Sequence, residues 1–329
     1  MSPQKLILAT RGSPLALCQS HWVKQEIERL VSGVTVEILT VKTTGDRLSS
    51  EPLPMIGGKG LFTKEIEEAL LERKAHLAVH SLKDLPTEMP EGLVLAAIPR
   101  REDQRDVLIS RYGKRFADLP MHALIGTSSV RRSAQLKHIR PDLRIEPLRG
   151  NLDTRLRKLR EGQSDAIVLA AAGLRRLGLE DQITEYFTPE LLCPAVGQGA
   201  LAVQARQDNE DTLQVLNHLE DRWARVSATA ERALLHRLGG GCQIPIAAIT
   251  QQQQDRIRIS AVVVHPEGTQ IFRASELSAP INWQTDRMET IHAAEVLGMK
   301  TAENLLAQGA GKILELSMQI NPLTPPRIA

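Results

Sequence analysis

The chain has 329 residues, 42% of them hydrophobic and 24% charged, which is the globular range but too much chain for one ordinary core. Two or three domains are therefore expected. Lys+Arg number 41 against 39 Asp+Glu, so net +2 gives no strong overall field, and aromatics at 3% argue against a base-stacking nucleic-acid surface.

Cys18, Cys193 and Cys242 lie far apart with no Cys-x-x-Cys spacing. Neither a disulfide framework nor a zinc site follows, and no metal is expected. No apolar run is long enough for a signal peptide or a membrane span. A soluble, cytoplasmic protein is expected, with no membrane and no nucleic-acid partner.

In chain order, residues 5–9 read as a short apolar strand. Thr10-Arg11-Gly12-Ser13-Pro14 follows, with Ser13 as a natural N-cap and Pro14 at the first helical position. Leu15, Cys18, Trp22 and Leu30 mark the expected packed face of that helix. Residues 34–43 alternate as a strand. Residues 44–60, rich in Gly, Pro and Ser, read as a mobile functional loop or a disordered connection. A helix is expected over 61–73 and a buried strand over 77–80, ending in Ser81-Leu82-Lys83-Asp84-Leu85-Pro86.

The same order then recurs weakly. Residues 123–126 form a strand, Thr127-Ser128-Ser129 caps a helix running to 139, and 143–147 is a strand. Arg149-Gly150-Asn151 is a loop, 152–161 a helix and 165–169 a strand. This alternation argues for two similar α/β domains. Residues 100–103 and 194–199 read as the two crossings between them, forming a hinge. After about Arg222 a helix over 223–238 is stopped by Gly239-Gly240-Gly241, which places Cys242 on a glycine turn past a helix C-terminus. The dipole there disfavours a thiolate, which suits a thiol that holds something better than a protease-like nucleophile. Short strands over 246–250, 257–264 and 270–274 and a helix over 289–306 complete a small α+β unit. The Pro-rich tail 321–329 is expected to be loose.

Ligands of open α/β sheets sit beyond the carboxyl ends of strands. Arg11, Ser13, Ser81, Lys83, Asp84, Thr127, Ser129, Arg131, Arg132 and Arg149 all fall there. Residues 126–160 hold ten Lys/Arg against three acids, a local excess that needs a partner or a solvated face. Arg131 and Arg132 lie in the first turn of a capped helix, where free N–H groups and guanidinium forks both suit a carboxylate. The alternative for them is a solvated surface, and for Arg157 and Arg160 that alternative is preferred. Asp84 beside Lys83 suits stabilisation of a developing cation, or is simply a turn residue before Pro86. Gly57-Gly58-Lys59-Gly60 lacks the rest of a phosphate loop, and His76 and His80 read as core histidines.

Eight blocks in order carry a resemblance to the porphobilinogen deaminase (hydroxymethylbilane synthase) family over nearly the whole chain. They are Thr-Arg-Gly-Ser-Pro-Leu-Ala from Thr10, Gly-Gly-Lys-Gly-Leu-Phe from Gly57 and Ala-Val-His-Ser-Leu-Lys-Asp-Leu-Pro from Ala78. Then come Gly-Thr-Ser-Ser-Val-Arg-Arg from Gly126, Arg-Gly-Asn-Leu-Asp-Thr-Arg from Arg149 and Leu-Ala-Ala-Ala-Gly-Leu from Leu169. Pro-Ala-Val-Gly-Gln-Gly from Pro194 and Gly240-Gly241-Cys242 close the series. Met55 stands where some relatives carry a lysine, and residues 280–295 match no family block.

The resemblance implies two periplasmic-binding-protein-like α/β domains joined by a hinge, with the active site between them, and a small α+β C-terminal domain. The implied borders are 1–99 with 200–221, then 100–199, then 222–329. It implies a dipyrromethane cofactor on a thioether to Cys242, and porphobilinogen as the substrate. Four porphobilinogens would condense head to tail with loss of ammonia, and hydrolysis would release a linear tetrapyrrole. It implies Asp84 as the catalytic acid–base and cation-stabilising group. Lys83, Ser81, Thr127, Ser129, Arg131, Arg132, Asp84, Ser13 and Cys242 would hold the cofactor. Arg11, Gln19, Arg149, Arg155, Arg176 and Gln198 would bind substrate, and the protein would be a monomer. The residue chemistry agrees: every pyrrole carries two carboxylates, so the growing chain is a polyanion that arginines match. The competing expectation is a two-lobed, non-catalytic binding protein for a polycarboxylate.

Overall fold

A computed structural model describes residues 4–47, 62–240, 244–283 and 287–320. Cys242, most of the expected 44–60 loop and the tail 321–329 therefore lie outside the described residues. The chain divides into two compact units, one of residues 1–102 with 199–225 and one of 103–198 with 226–329.

The first unit opens with β1 (Gln4–Arg11), α1 (Pro14–Leu30), β2 (Val34–Val41), α2 (Thr44–Arg47), α3 (Lys64–Leu71), β3 (Leu77–Ser81) and β4 (Leu93–Ala97). In the second unit follow β5 (Asp106–Ser110), β6 (Leu124–Gly126), α4 (Val130–Ile139), β7 (Arg144–Glu146), α5 (Leu152–Arg160), β8 (Ala166–Ala170), α6 (Ala171–Arg176) and β9 (Glu185–Tyr186). The chain returns to the first unit for β10 (Leu201–Arg206) and α7 (Glu210–Asn217). Then come α8 (Arg222–Arg237), β11 (Ile246–Gln253), β12 (Arg256–Val264), β13 (Ile271–Leu277), α9 (Arg287–Ala307) and α10 (Ala310–Ile320).

The first sheet has the order β2-β1-β3-β10-β4 and the second β7-β6-β8-β5-β9. In each, four of the five strands run in one direction and the strand fourth in order, reached after a crossing of the chain, is antiparallel to both its neighbours. The weak repeat seen in the sequence is thus one topology used twice. Successive residues of β1 alternate between two cores. Leu6 and Leu8 pack with Val23 and Ile27 of α1 and Val215 of α7, whereas Ala9 packs with Ile66 and Leu70 of α3. A sheet covered on both faces needs apolar residues at every position, which is why residues 6–9 read as an unbroken apolar run. The second sheet does the same, with Leu108 and Val168 facing Leu136 of α4 and Ile109 and Ile167 facing Leu156 of α5.

One helix face differs from expectation. Gln19, Ser20, Val23 and Ile27 are the buried residues of α1, while Trp22 and Leu30 are each 39% exposed. The true face includes two polar residues that the apolar pattern passes over.

The C-terminal part is a three-stranded antiparallel sheet, β11-β12-β13. One set of its side chains (Ala247, Ile249, Val262, Val264) packs with Ala134 of α4 and Cys193. Helix α8 ends at Arg237, and Gly239, two residues on, has φ +67°, so the glycine stop forms as expected. Helix α10 was not anticipated. The fold class is two α/β domains followed by a small α+β domain, as the sequence indicated.

Candidate functional site

In the first unit, β1 and β3 are parallel neighbours, so their carboxyl ends reach the same edge of the sheet. Arg11 closes β1. Its Nη2 donates to Asp46 Oδ1 at 2.5 Å, and its guanidinium lies 4.2 Å from the centre of the Phe62 ring. Burial works to raise the Asp46 pKa, but hydrogen bonds from Arg11 and Thr43 outweigh it and hold the carboxyl below its ordinary value. Ser13 caps α1, its Oγ accepting from Ala16 N–H at 3.3 Å. Gln19, buried on α1, donates from Nε2 to Ser81 Oγ at 3.1 Å, which ties the helix to the end of β3. A single 3-10 turn, Leu82–Asp84, follows. Leu82 is its buried anchor, and Lys83 and Asp84 are carried with it. Asp84 is exposed, and no described residue donates a hydrogen bond to its carboxylate.

His80 points inward on β3. Its ring Nε2 lies 3.1 Å from Gln204 Oε1, and His76 Nδ1 accepts from Ile7 N–H. Both are structural histidines, as the sequence suggested.

In the second unit, β6 ends at Gly126, where a Cβ would lie 3.0 Å from Leu148 Cδ2. Thr127 Oγ1 accepts from Ser129 N–H at 3.2 Å, and Ser129 Oγ from Arg132 N–H at 3.4 Å. This cap aims the first turn of α4, hence Arg131 and Arg132, at the start of β5. Both arginines are buried, each 6% exposed, so the solvated alternative does not hold for them. Their shared partner is Asp106, fully buried on β5, a residue that sequence reasoning missed. Gln198, also fully buried, donates from Nε2 to Gln104 O at 2.7 Å and to Asp106 Oδ1 at 2.9 Å. Burial works to raise the Asp106 pKa, but the two guanidinium groups prevail and hold the carboxyl far below the carboxylate range. The signal was available in principle: a charged residue heading the all-apolar run Val107-Leu108-Ile109.

Arg149 follows β7 and is half-buried. Arg155, on α5, donates from Nε to Gly150 O at 2.9 Å, and Arg176 is half-buried at the end of α6. Arg157 and Arg160 are exposed and pair with Glu161 and Gln182, the solvated role expected of them. Cys193 is buried, and burial pushes its thiol up to about 12, so it is inert. Among the described residues no helix is long and apolar enough to cross a membrane.

The family model "Porphobilinogen deaminase, dipyromethane cofactor binding domain" matches residues 6–214, and "Porphobilinogen deaminase, C-terminal domain" matches 226–307. The chain belongs to the porphobilinogen deaminase family. Its relatives include the porphobilinogen deaminases of Geobacter metallireducens, 48% identical over 95% of each chain, and of Brevibacillus brevis, 46% identical over 93% of this chain and 96% of that one. A solved structure of the methionine binding protein MetQ is 13% identical, covering 70% of this chain and 93% of that one at a TM-score of 0.43. Within the porphobilinogen deaminase match, residues 6–214 are the dipyrromethane cofactor binding domain. They take in every candidate site residue except Cys242, which falls in the C-terminal match. The donor set suits such a cofactor: Asp106 balances only one of its two guanidinium partners, leaving positive charge for a pyrrole carboxylate.

Proposed function

We propose that the chain is a transferase of the hydroxymethylbilane synthase type. It joins four porphobilinogen molecules head to tail onto a dipyrromethane anchored at Cys242, then releases the linear tetrapyrrole by hydrolysis. The observation that carries this reading is the family match over nearly the whole length, at 48% identity with one relative. It favours the enzyme over a non-catalytic polycarboxylate binder. The dipyrromethane supplies a free pyrrole α-carbon as the acceptor.

The roles follow from chemistry at each position. Porphobilinogen loses ammonia to give an electrophilic, cationic azafulvene. A bound pyrrole chain would supply the nucleophilic α-carbon for that electrophile, and the proton this carbon sheds on bonding would need a nearby base. Asp84, exposed and free of hydrogen-bond donors among the described residues, suits both tasks: offsetting the cation and taking the proton. Lys83, Ser81, Ser13, Thr127, Ser129, Arg131 and Arg132 hold the cofactor. Arg11, Gln19, Arg149, Arg155, Arg176 and Gln198 serve substrate and the lengthening chain, directly or by fixing a neighbour. The domain borders assigned with this reading are 1–99 with 200–221, 100–199 and 222–329. The protein acts as a cytoplasmic monomer.

Incubation with porphobilinogen, followed for ammonia and a linear tetrapyrrole, tests the reading; no ammonia ends it. Intact mass is expected to exceed the sequence mass by one dipyrromethane. A Cys242→Ser protein that kept the extra mass would remove the anchor assignment.

A further inference from the structure

Asp106 is the one fully buried carboxylate among the described residues that meets two guanidinium groups. Arg131 Nη1 donates to its Oδ2 at 2.7 Å. Arg132 donates to Oδ1 from Nη2 at 2.6 Å and from Nε at 3.1 Å. Gln198 Nε2 adds a fourth donor at 2.9 Å. One carboxylate cannot balance two guanidiniums, so the cluster keeps one positive charge. Buried charge without a counter-ion is costly, and an anion from outside would relieve it.

The remaining N–H groups decide which arginine receives that anion. Arg132 commits Nε and Nη2 to Asp106 and Nη1 to the Val168 carbonyl at 3.0 Å. Arg131 commits only Nη1, shared between Asp106 and the Cys193 carbonyl at 2.6 Å. Its Nε and Nη2 make no hydrogen bond with a described residue. Those two groups form one edge of the guanidinium, the edge that takes a carboxylate bidentately.

We propose that Asp106 is a positioning residue: with Arg132 it forms a fixed buried pair, against which the Arg131 guanidinium is held to receive a single carboxylate of the pyrrole ligand. The two arginines, adjacent in sequence, thereby have different jobs. The proposal rests on the deaminase reading above.

The test uses intact mass, porphobilinogen kinetics and the wild-type protein as control. A wild type without dipyrromethane mass or ammonia release would defeat the deaminase reading itself. With a working wild type, Asp106→Asn is expected to lower the cofactor-loaded share at least about tenfold, the effect of leaving buried charge partners unmatched. In the share that does load, KM is expected to rise more than kcat falls, and Asp106→Glu to recover part of the loading. An Asp106→Asn protein that loads fully with the wild-type KM overturns the proposal. Should Asp106→Asn not fold, the arginine Nε–Hε NMR signals decide, compared between the unloaded Cys242→Ser protein and the loaded wild type. The Arg131 signal is expected to move and the Arg132 signal to stay. Equal movement of both, or movement of Arg132 alone, overturns it.

Discussion

Glu231 Oε2 on α8 accepts the backbone N–H of Gly197 at 2.8 Å, across 34 residues of sequence. Its other oxygen accepts from Thr250 N–H at 3.0 Å and Thr250 Oγ1 at 2.8 Å on β11. A fully buried carboxylate thus ties the segment around Gly197 to the helix and strand on either side of Cys242. Glu231→Ala leaves buried donors without acceptors, and is expected to cost about 3 kcal/mol. Glu231→Gln keeps the shape but turns one acceptor into a donor, for a loss of about 2 kcal/mol. Urea midpoints at unchanged m-value check both; a shift within error for Ala would show that these bonds contribute nothing net.

Gly268, in the turn between β12 and β13, has φ +73° and sits against α4. A Cβ there would lie 2.6 Å from His138 N and 2.8 Å from Lys137 C. His138 Nδ1 is 2.7 Å from Gly268 O at the same contact. Gly33, at φ +81°, has nothing within 4 Å of its virtual Cβ. Gly33→Ala therefore meets only backbone strain, about 1 kcal/mol. Gly268→Ala adds a clash with backbone that cannot swing aside, and is expected to cost at least about 2 kcal/mol more. Equal losses, read from denaturant or thermal melts, would mean that the turn can lift off α4 freely.

Much of this was legible in the chain because the signals were local. Ser13-Pro14 and Thr127-Ser128-Ser129 are caps whose donors lie within a few residues, so the turns that aim Arg11 and Arg131 could be read directly. The doubled strand order follows from hydrophobic runs alone. What escaped notice depends on distant partners. Asp106 meets Arg131 and Arg132 from 25 and 26 residues away. Gln19 belongs to the buried face of α1 only because Ser81, 62 residues on, receives its amide. Helix α10 was hidden by Gly309 and Gly311, which punctuate the sequence although only Gly309 takes a positive φ, +104°.

Asp84 offers a sharper test of mechanism than any arginine. It is exposed, so replacing it disturbs no packing, and its anchor Leu82 is untouched. Asp84→Asn is expected to carry the dipyrromethane mass at wild-type occupancy and to melt with the wild type. Ammonia release from porphobilinogen is expected to fall by at least about 10²-fold, the usual scale of a lost general acid–base. Near-normal turnover would exclude Asp84 from the chemistry. Loss of the extra mass would instead move it into cofactor assembly.

His80 sets an acid limit on the first unit. Gln204 Nε2 donates to Glu67 Oε1 at 3.0 Å, which leaves Gln204 Oε1 to accept from His80 Nε2–H. The ring is therefore a neutral donor. Burial lowers its pKa from 6.5 to about 4, the hydrogen bond to Gln204 opposing and the charge of Arg11 assisting. The unfolded chain takes up a proton near pH 6.5 that the native state refuses until about pH 4. Between those values the unfolded state binds more protons, so stability rises with pH and is lost on acidification. The total is on the order of 3 kcal/mol. Acid groups such as Asp106 release their contribution only at lower pH, since their folded pKa values are depressed. His80→Gln retains a donor toward Gln204 and removes the titration. The difference between wild-type and His80→Gln urea midpoints is therefore expected to shrink steadily from pH 7 to pH 4.5. A constant difference across that range would mean that His80 is protonated as readily folded as unfolded.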